Sequence, residues 1–321
     1  MRILAATALL LLAGTAANAG TLTLYTSQSA EIAQQTVDAF QAKYPDVKVE
    51  WTRNGTSQLM NVLQAEIAAG DIRPDVLLVA DTINLGQLKK DGRLLAYPEA
   101  KVGAYDKATY DKDMMFFGTK IISTGIAYNT ASAKPIDSWN ALLDEANRNQ
   151  IAVPSPLYSG AALNHLHTVI HVPAIGWDFY AGLAKLDIAP EGGNGPALKA
   201  VASGIAKYGL IADADVIRAK AAGSPVDLIF PKEGVSFITE PAAILASAKN
   251  PADAKLFIDF LLSKEGQELV GKQGNMPLDP TMTPPAGFPK LTDIKLLPMD
   301  ADAAVASDAD VRAKFTATFG G

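Results

Sequence analysis

The chain has 321 residues, of which 19% are charged, and it carries a formal net charge of −6 and no cysteine. An acidic chain of this kind lacks the basic surface that binding to nucleic acid requires, so we expect no nucleic-acid partner. The absence of cysteine excludes disulfides, thiolate nucleophiles and cysteine-ligated metals. About 300 residues are enough for two lobes with separate hydrophobic cores.

Residues 1–19 have the pattern of a cleavable secretory signal peptide. Arg2 forms a short positive region, residues 3–13 form an apolar run, and residues 17–19 (Ala-Asn-Ala) give a small-x-small cleavage site. The apolar run is too short for a membrane anchor, and the chain offers no cysteine for lipidation. We therefore expect an exported, non-lipidated protein that is free in the periplasm of a Gram-negative cell.

After residue 19 the sequence alternates strand patterns with helix patterns. The predicted strands are 21–25, 47–51, 75–80, 151–153, 208–212 and 226–230. The predicted helices are 30–44, a segment beginning near 57, a segment beginning after 159, 214–222 and a pair of helices beginning at 251. This alternation is typical of the α/β class, in which helices cover a largely parallel sheet. Residues 276–298 are rich in proline and should wrap the surface ahead of a short acidic C-terminal helix.

Polar residues that directly follow the strands are candidates for ligand binding, because such sheets bind ligands outside the carboxyl ends of their strands. In the first half of the chain the candidates are Ser27, Thr56, Ser57 and Asp81. In the second half they are Ser159, Gly160, Ala161 and Asp213, and Glu240 is expected near a crossing between the lobes.

Three segments favour an anionic ligand because each begins a predicted helix. Ser159 can cap a helix whose first residues have little side-chain bulk, so its free N–H groups and the positive end of its dipole would face a ligand. Residues 55–57 and 192–200 form two further starts of this kind. A single start would be ordinary turn chemistry, whereas three together favour an anion.

The sequence contains no motif that would identify an enzyme. It has no Gly-x-Ser-x-Gly, no Walker loop and no His-Glu-x-x-His, so we interpret the chain as a binding protein, with a secreted phosphoester hydrolase as the alternative from another class. His167 and His171 have an i, i+4 spacing on one predicted helix, but no acidic residue of that helix completes a metal site. We expect neither a metal nor a cofactor.

Six segments carry a resemblance to a known family, among them residues 25–81, YSGAALNH (158–165) and AKNPADAKLFIDFLLSKEGQ (248–267). They are similar to the type II periplasmic solute-binding proteins of ABC transporters. Within that family the chain resembles the ferric-ion-binding branch and its relatives that bind phosphonates and sugar or vitamin phosphates. The resemblance extends over nearly the whole chain after residue 19.

The resemblance implies two Rossmann-like lobes that are joined by hinge strands and close on a ligand between them. We expect lobe 1 to contain 20–124 with 237–290, and lobe 2 to contain 125–236 with 291–321. The crossings should lie near 124–128 and 234–240. The resemblance also implies a monomer that delivers its ligand to an inner-membrane permease.

The iron ligands of the ferric relatives are not retained at the corresponding positions. By resemblance the histidine falls near Ser29, the glutamate at Ala80, and the two adjacent tyrosines at Ala214 and Asp215. These residues leave a single carboxylate for a ferric ion. A ferric-binding protein is therefore the alternative and not the first interpretation.

The anion-binding half of the family site is retained. The relatives hold an anion at a Ser-Gly-Ala run, which 159–161 match, and at a nearby asparagine, which Asn194 matches. We therefore expect a small anionic ligand, such as 2-aminoethylphosphonate, another organophosphonate or a phosphate ester. Asp81, Asp213 and Glu240 are predicted near the cleft mouth, where they could bind either an ammonium group or sugar hydroxyls.

Overall fold

The structure is a computed structural model that describes residues 20–103 and 105–320, so the predicted signal peptide lies outside the described residues. Within this part of the chain there are twelve strands and ten α-helices. The strands are β1 Thr21–Thr26, β2 Lys48–Arg53, β3 Val76–Leu78, β4 Phe116–Phe117, β5 Lys120–Asn129, β6 Ile151–Ala152, β7 Tyr208–Ala212, β8 Val226–Ile229, β9 Val235–Ile238, β10 Ala242–Ile244, β11 Met276–Pro277 and β12 Leu296–Leu297. The helices are α1 Ala30–Lys43, α2 Thr56–Ala69, α3 Thr82–Lys90, α4 Gly160–Val169, α5 Gly176–Lys185, α6 Asn194–Ala202, α7 Asp213–Ala221, α8 Pro251–Leu262, α9 Lys264–Lys272 and α10 Ala301–Phe319.

The first lobe is built on a five-stranded sheet with the order β2-β1-β3-β10-β4. Strand β1 pairs in parallel with β2 and β3, and β10 runs antiparallel between β3 and β4. All three residues of β3 are buried, as its continuous apolar sequence predicts for a central strand. Phe40 of α1 and Phe257 of α8 meet edge to face in the core, with ring centroids 5.0 Å apart.

The second lobe is built around β5, the longest strand. Its sheet has the order β12-β9-β5-β7-β6, and β8 and β11 also pair with β5. Trp139 is fully buried in this lobe, and its indole N–H donates to the carbonyl of Gly234 over 2.8 Å. The two α/β lobes, each with its own sheet and core, confirm the predicted fold class.

The chain changes sheet at two adjacent crossings, and it enters the second sheet once more at β12, after α9. It leaves the first sheet after β4 and enters the second at the start of β5, and it returns between the end of β9 and the start of β10. The N–H groups of Thr119 and Lys120 both donate to the carbonyl of Thr239, over 2.8 and 3.2 Å. Because Ile122 already pairs with β9, the first change of sheet precedes the predicted 124–128. We propose the two-lobe division with these crossings as its hinge.

The C-terminal helix differs from the short acidic helix that the sequence predicted. α10 has 19 residues, and the apolar residues among its acidic ones contact both lobes. Val305 packs with Ile83 of α3 in the first lobe, and Phe315 packs on Tyr180 of α5 in the second, with ring centroids 5.8 Å apart. The predicted length was wrong, because the acidic residues of this segment obscured the pattern of the apolar residues that contact both lobes. Among the described residues, no helix has the length and apolar character that a membrane span needs.

Candidate functional site

A cavity of about 460 Å³, here called the cleft cavity, lies between the lobes. Its wall includes Thr56 of the first lobe and Gly160 of the second. Lys120 and Glu240, from the two crossings, form part of the same wall. Because both lobes contribute to this wall, the cavity is complete only when the lobes are together.

Five helices begin at the cleft cavity. The residues that line it at these helix starts are Ser29 for α1, Gly55 and Thr56 for α2, Ser159–Ala161 for α4, Gly193–Pro196 for α6, and Ala212, Ala214 and Asp215 for α7. The first N–H groups of a helix have no partner within the helix, and the helix dipole adds positive potential there. No side chain caps α2 or α6, and Ser159 Oγ caps α4 by accepting only from the N–H of Ala162, over 3.3 Å. The cavity is therefore surrounded by backbone donors.

The lobes are in direct contact at the rim of this cavity. The N–H of Ser57 in the first lobe donates to the carbonyl of Tyr158 in the second, over 3.3 Å. The α4 start also lies against the first lobe, since a methyl group on Gly160 would be 2.5 Å from the carbonyl oxygen of Ala80 and 2.8 Å from Thr56 Oγ1. Only glycine allows this approach. The arrangement is the closed one.

The charged side chains that line the cavity are Arg53, Lys120, Arg218, Asp215 and Glu240, which give a net charge of +1. Lys120 Nζ lies 2.6 Å from Glu240 Oε2, and these two side chains are only 3% and 5% exposed. Arg218 forms an ion pair with Asp215 one turn earlier on α7. Burial raises the pKa of Asp215, and Arg218 acts in the opposite direction. Arg53 forms no ion pair with a described residue, so it supplies the positive excess.

Glu240 is held in place from several directions. Its backbone has φ of 41°, in the left-handed region that non-glycine residues rarely adopt. The hydroxyl of Thr119 donates to its carbonyl over 2.8 Å, and Gln28 Nε2 donates to its Oε2 over 2.9 Å. A strained backbone at a crossing persists only when its surroundings fix it, which places the Glu240 carboxylate firmly against the cavity.

Seven of the ten sequence-predicted residues line the cleft cavity. They are Ser27, Thr56, Ser159, Gly160, Ala161, Asn194 and Glu240. Ser57 lies behind this wall, where its N–H makes the contact between the lobes. The predicted residues of both lobes are therefore brought together, as the strand-end rule suggests.

Asp81 and Asp213 are buried and do not line the cavity. Asp81 caps α3 and accepts from the N–H groups of Ile83 and Asn84, over 2.8 and 3.1 Å. Asp213 accepts from the N–H and the hydroxyl of Ser123, over 3.1 and 2.6 Å. Burial raises the pKa of Asp213 to about 6, although these hydrogen bonds oppose the shift. Both carboxylates have their partners within the protein.

Apart from Ser29 and Asp215, six polar residues of the cavity wall were not among the sequence candidates: Gln28, Arg53, Lys120, Tyr158, Arg218 and Asn275. Arg53 ends β2 and stands just before the α2 start, so the strand-end rule could have identified it. Lys120 and Arg218 carry no such local signal, because their positions depend on how the lobes meet.

The four positions that correspond to the iron ligands of the ferric relatives all line the cavity. They are Ser29, Ala80, Ala214 and Asp215, which together offer one carboxylate and leave space beside the α7 start. Within residues 20–103 and 105–320, no group of three histidine, aspartate or glutamate side chains could hold a metal ion.

The histidines lie away from the cleft cavity. His165 and His167 are buried in α4, where His165 Nδ1 is 2.9 Å from Ser236 Oγ and His167 Nε2 is 3.0 Å from Asp308 Oδ1 of α10. His171 lies beyond the end of α4 and is exposed. The predicted pair of His167 and His171 on one helix is therefore wrong, because the helix ends before its last member.

Comparisons with known proteins identify the family. Residues 26–268 match the bacterial extracellular solute-binding proteins. An uncharacterised protein of Haemophilus influenzae is 28% identical over 283 residues, which are 83% of this chain and 80% of that protein.

Two solved structures are similar over nearly the whole chain. The periplasmic binding protein AfuA of Actinobacillus pleuropneumoniae, solved with exogenous fructose 6-phosphate bound, is 25% identical with a TM-score of 0.86, over 94% of this chain and 99% of that one. Iron-bound HitA of Pseudomonas aeruginosa is 24% identical with a TM-score of 0.78, over 92% and 99%, and shows likeness of fold. The chain therefore belongs to the bacterial extracellular solute-binding proteins of ABC transporters and has the type II periplasmic-binding-protein fold.

Proposed function

We propose that this protein captures a small phosphorylated solute, either a phosphate ester or an organophosphonate, and delivers it to the permease of an ABC transporter. The observation that carries the proposal is the convergence of five helix starts on one cavity with a net charge of +1. Fixed N–H donors and a positive excess suit a compact anion with several acceptor oxygens. The proposal includes export to the periplasm with loss of residues 1–19.

The phosphoryl group belongs at the α4 start. The N–H groups of Gly160 and Ala161 have no partner within the helix, and Thr56 Oγ1 stands opposite them across the interface between the lobes. An anion at this point contacts both lobes, so it stabilises the closed arrangement over any open one. Arg53, at the end of β2, adds an uncompensated positive charge to the same wall.

The residues at the iron-ligand positions support an organic phosphate over a ferric ion, while the relatives include binding proteins of both kinds. AfuA was solved with fructose 6-phosphate, a phosphate ester, and it is similar to this chain over nearly its whole length. HitA was solved with iron. At the positions of the iron ligands this chain has small residues and one carboxylate, which leave room for the organic part of a ligand.

A binding protein accounts for the hydroxyl groups of the cavity better than a hydrolase does. Ser27 Oγ accepts from the N–H of Ala80 over 3.0 Å, and Ser159 Oγ accepts from the N–H of Ala162. Nucleophilic catalysis needs a base within hydrogen-bond reach of the hydroxyl, and neither of these hydroxyls donates to a carboxylate or an imidazole among the described residues. We therefore propose no enzymatic activity.

A thermal-shift screen of the purified protein tests the proposal. The ligands are phosphate esters, organophosphonates, inorganic phosphate, unphosphorylated sugars, polyamines and ferric citrate. A ligand at a hundredfold excess over its Kd stabilises the closed fold by about 2.7 kcal/mol, which gives a clear melting shift. We expect the largest shifts with phosphorylated compounds. Shifts with only non-anionic ligands, a coloured ferric complex, or turnover of a phosphate ester would each contradict the proposal.

A further inference from the structure

The paired charges of the cleft cavity indicate which groups the rest of the ligand carries, and this inference rests on the proposed function. Both carboxylates that line the cavity already have a cation at hydrogen-bond distance: Glu240 has Lys120, and Asp215 has Arg218. An ammonium group that approached either carboxylate would also approach its cation. Like charges brought together in a partly dehydrated site cost several kcal/mol.

Gln28 adds an acceptor that has no partner. Its side chain is 6% exposed and lines the cavity, and its Oε1 makes no hydrogen bond to any described residue. Its Nε2 donates to Glu240 Oε2, which fixes the orientation of the amide, since a flipped amide would set its oxygen against the carboxylate. A buried acceptor without a donor is costly, so the ligand should supply a donor here.

Lys120 restricts which donor this can be. Lys120 Nζ and Gln28 Nε2 both bind Glu240 Oε2, so the free Gln28 Oε1 lies in the neighbourhood of a buried ammonium. A hydroxyl can donate to Gln28 and accept from Lys120, and thereby satisfies both residues. A ligand ammonium can only donate, and it would meet the charge of Lys120 without shielding by solvent.

We propose that the cleft selects phosphorylated polyols over phosphorylated amines, and that Lys120 is the residue that determines this specificity. Lys120 neutralises Glu240, which would otherwise attract an ammonium group. Hydroxyl groups of the ligand are then recognised by the two ion pairs, Lys120–Glu240 and Arg218–Asp215, and by Gln28. The phosphoryl group is the common anchor of both ligand classes, so the selection acts on the rest of the molecule.

Matched pairs of ligands test the selection directly in the unmodified protein. The first pair is 2-hydroxyethyl phosphate and 2-aminoethyl phosphate, and the second is glucose 6-phosphate and glucosamine 6-phosphate. Each pair differs only by the exchange of a hydroxyl for an ammonium. Calorimetric titration at constant salt and pH should give a Kd at least about tenfold lower for the hydroxyl member of a pair that binds.

Failure of this inference differs from failure of the proposed function. If neither pair, inorganic phosphate nor any other phosphorylated compound binds, the proposed function is wrong and the inference falls with it. If the amine member binds as tightly as its partner or more tightly, the selection is wrong while the phosphate anchor stands.

The variant Lys120→Met tests whether Lys120 causes the preference for the hydroxyl member. Lys120→Met leaves the Glu240 carboxylate without its cation, so the preference for the hydroxyl member should fall by about tenfold or reverse. Adding Glu240→Gln to that variant should abolish the gain in amine binding, which separates a freed carboxylate from loosened packing. Lys232→Met is the matched control, because Lys232 is 64% exposed and pairs with Asp137 on the surface.

The Lys232→Met control should keep the ratio between the Kd values of the amine and hydroxyl members that the unmodified protein shows. An unchanged ratio in a folded Lys120→Met variant would overturn the role of Lys120. If that variant does not fold, the two ligand pairs in the unmodified protein still decide whether hydroxyls are preferred.

Discussion

Two cavities of nearly equal size lie between the same two lobes, about 460 and about 450 Å³. The cleft cavity lies on one side of the crossing strands, and the second, here called the rear cavity, lies on the other. Consecutive residues of the returning strand separate them, since Glu240 lines the cleft cavity and Thr239 lines the rear one. The difference between the two cavities is therefore one of lining and not of volume.

The rear cavity has the opposite electrostatic character. Its charged lining residues are Lys89, Lys90, Lys112, Asp111, Asp113, Asp300 and Asp302, which give a net charge of −1. Helix α3 presents its C-terminal turn, which carries the negative end of its dipole. Two helices begin at this cavity, α3 with Thr82 and α10 with Ala301, and an aspartate caps each of them. Asp81 Oδ1 accepts from the N–H groups of Ile83 and Asn84, and Asp300 Oδ1 accepts from the N–H of Ala303 over 3.0 Å. The two cavities differ in the helix N-termini that face them and in the charges that line them, and they hardly differ in volume. These two features, and not the volume, identify the ligand site.

The largest effect should come from a methyl group at the α4 start. Gly160→Ala places Cβ 2.5 Å from the carbonyl oxygen of Ala80, so the lobes cannot close fully. We expect affinity for the phosphorylated ligand to fall by at least about a hundredfold, because closure assembles the site. Calorimetry gives the affinity, and small-angle scattering with and without ligand reports closure.

Gly195→Ala is the matched control for this change. Gly195 also lines the cleft cavity at a helix start, but a Cβ there would have no neighbour within 4 Å. Its affinity should stay within about threefold of the unmodified protein. Normal binding by Gly160→Ala would refute the closed arrangement as the binding state.

The second effect concerns the pH dependence of stability. It compares Asp213, a buried carboxylate next to the cleft cavity, with Asp302, an exposed carboxylate of the rear cavity. Burial raises the pKa of Asp213 from 3.8 to about 6, so this group favours folding most below pH 3.8, and that contribution is lost as the pH rises through 6. The full change is about 3 kcal/mol. The free energy of unfolding of Asp213→Asn relative to the unmodified protein should therefore increase between pH 4 and pH 7.

Urea denaturation at both pH values measures this difference. Asp302→Asn, at an exposed aspartate of the rear cavity, is the control for an Asp-to-Asn exchange. Curves for Asp213→Asn and the unmodified protein that stay parallel from pH 4 to pH 7 would contradict the burial argument.

The sequence predicted those parts of the molecule that depend on neighbouring residues. The strands and helices of the first lobe follow from local periodicity, and the α4 start follows from Ser159 and the two small residues after it. The same local reasoning could not determine where a carboxylate points. Asp81 and Asp213 follow strands as predicted, yet neither carboxylate lines the cavity, since Asp81 caps its own helix and Asp213 accepts from Ser123 of β5.

Contacts between distant segments were beyond the reach of sequence patterns. Lys120 and Glu240 are 120 positions apart and meet because the two crossings lie side by side. The contact of Arg218 with Asn275, at 3.4 Å, likewise joins α7 of the second lobe to the segment just before β11. Neither pair has a local signature, so the charge pairing that defines ligand selection appears only in the folded chain.

The third effect compares one unpaired cation in each cavity. Arg53→Met removes the positive excess of the cleft cavity, and a hydrogen bond to a charged group contributes about 1.5–3 kcal/mol. We expect affinity for the phosphorylated ligand to fall between about tenfold and a hundredfold, and the salt dependence of binding to weaken. Lys90→Met makes the corresponding change in the rear cavity, where affinity should change by less than about twofold. Equal losses in the two variants would show that net charge and not position attracts the ligand.

The smallest effect distinguishes two helix caps that are alike in stability and different in function. Ser159 caps α4 at the cleft cavity and Asp300 caps α10 at the rear cavity, each by accepting from the N–H three residues later. Replacing either with alanine should cost about 1 kcal/mol of unfolding free energy, because one N–H loses its partner. Only Ser159→Ala should weaken ligand binding, by about threefold to tenfold, since the serine hydroxyl accepts from the backbone and keeps its own proton free to donate to an anionic oxygen. Urea denaturation gives the first quantity and calorimetry the second. A loss of affinity in Asp300→Ala, or none in Ser159→Ala despite the stability cost, would place the anion away from the α4 start.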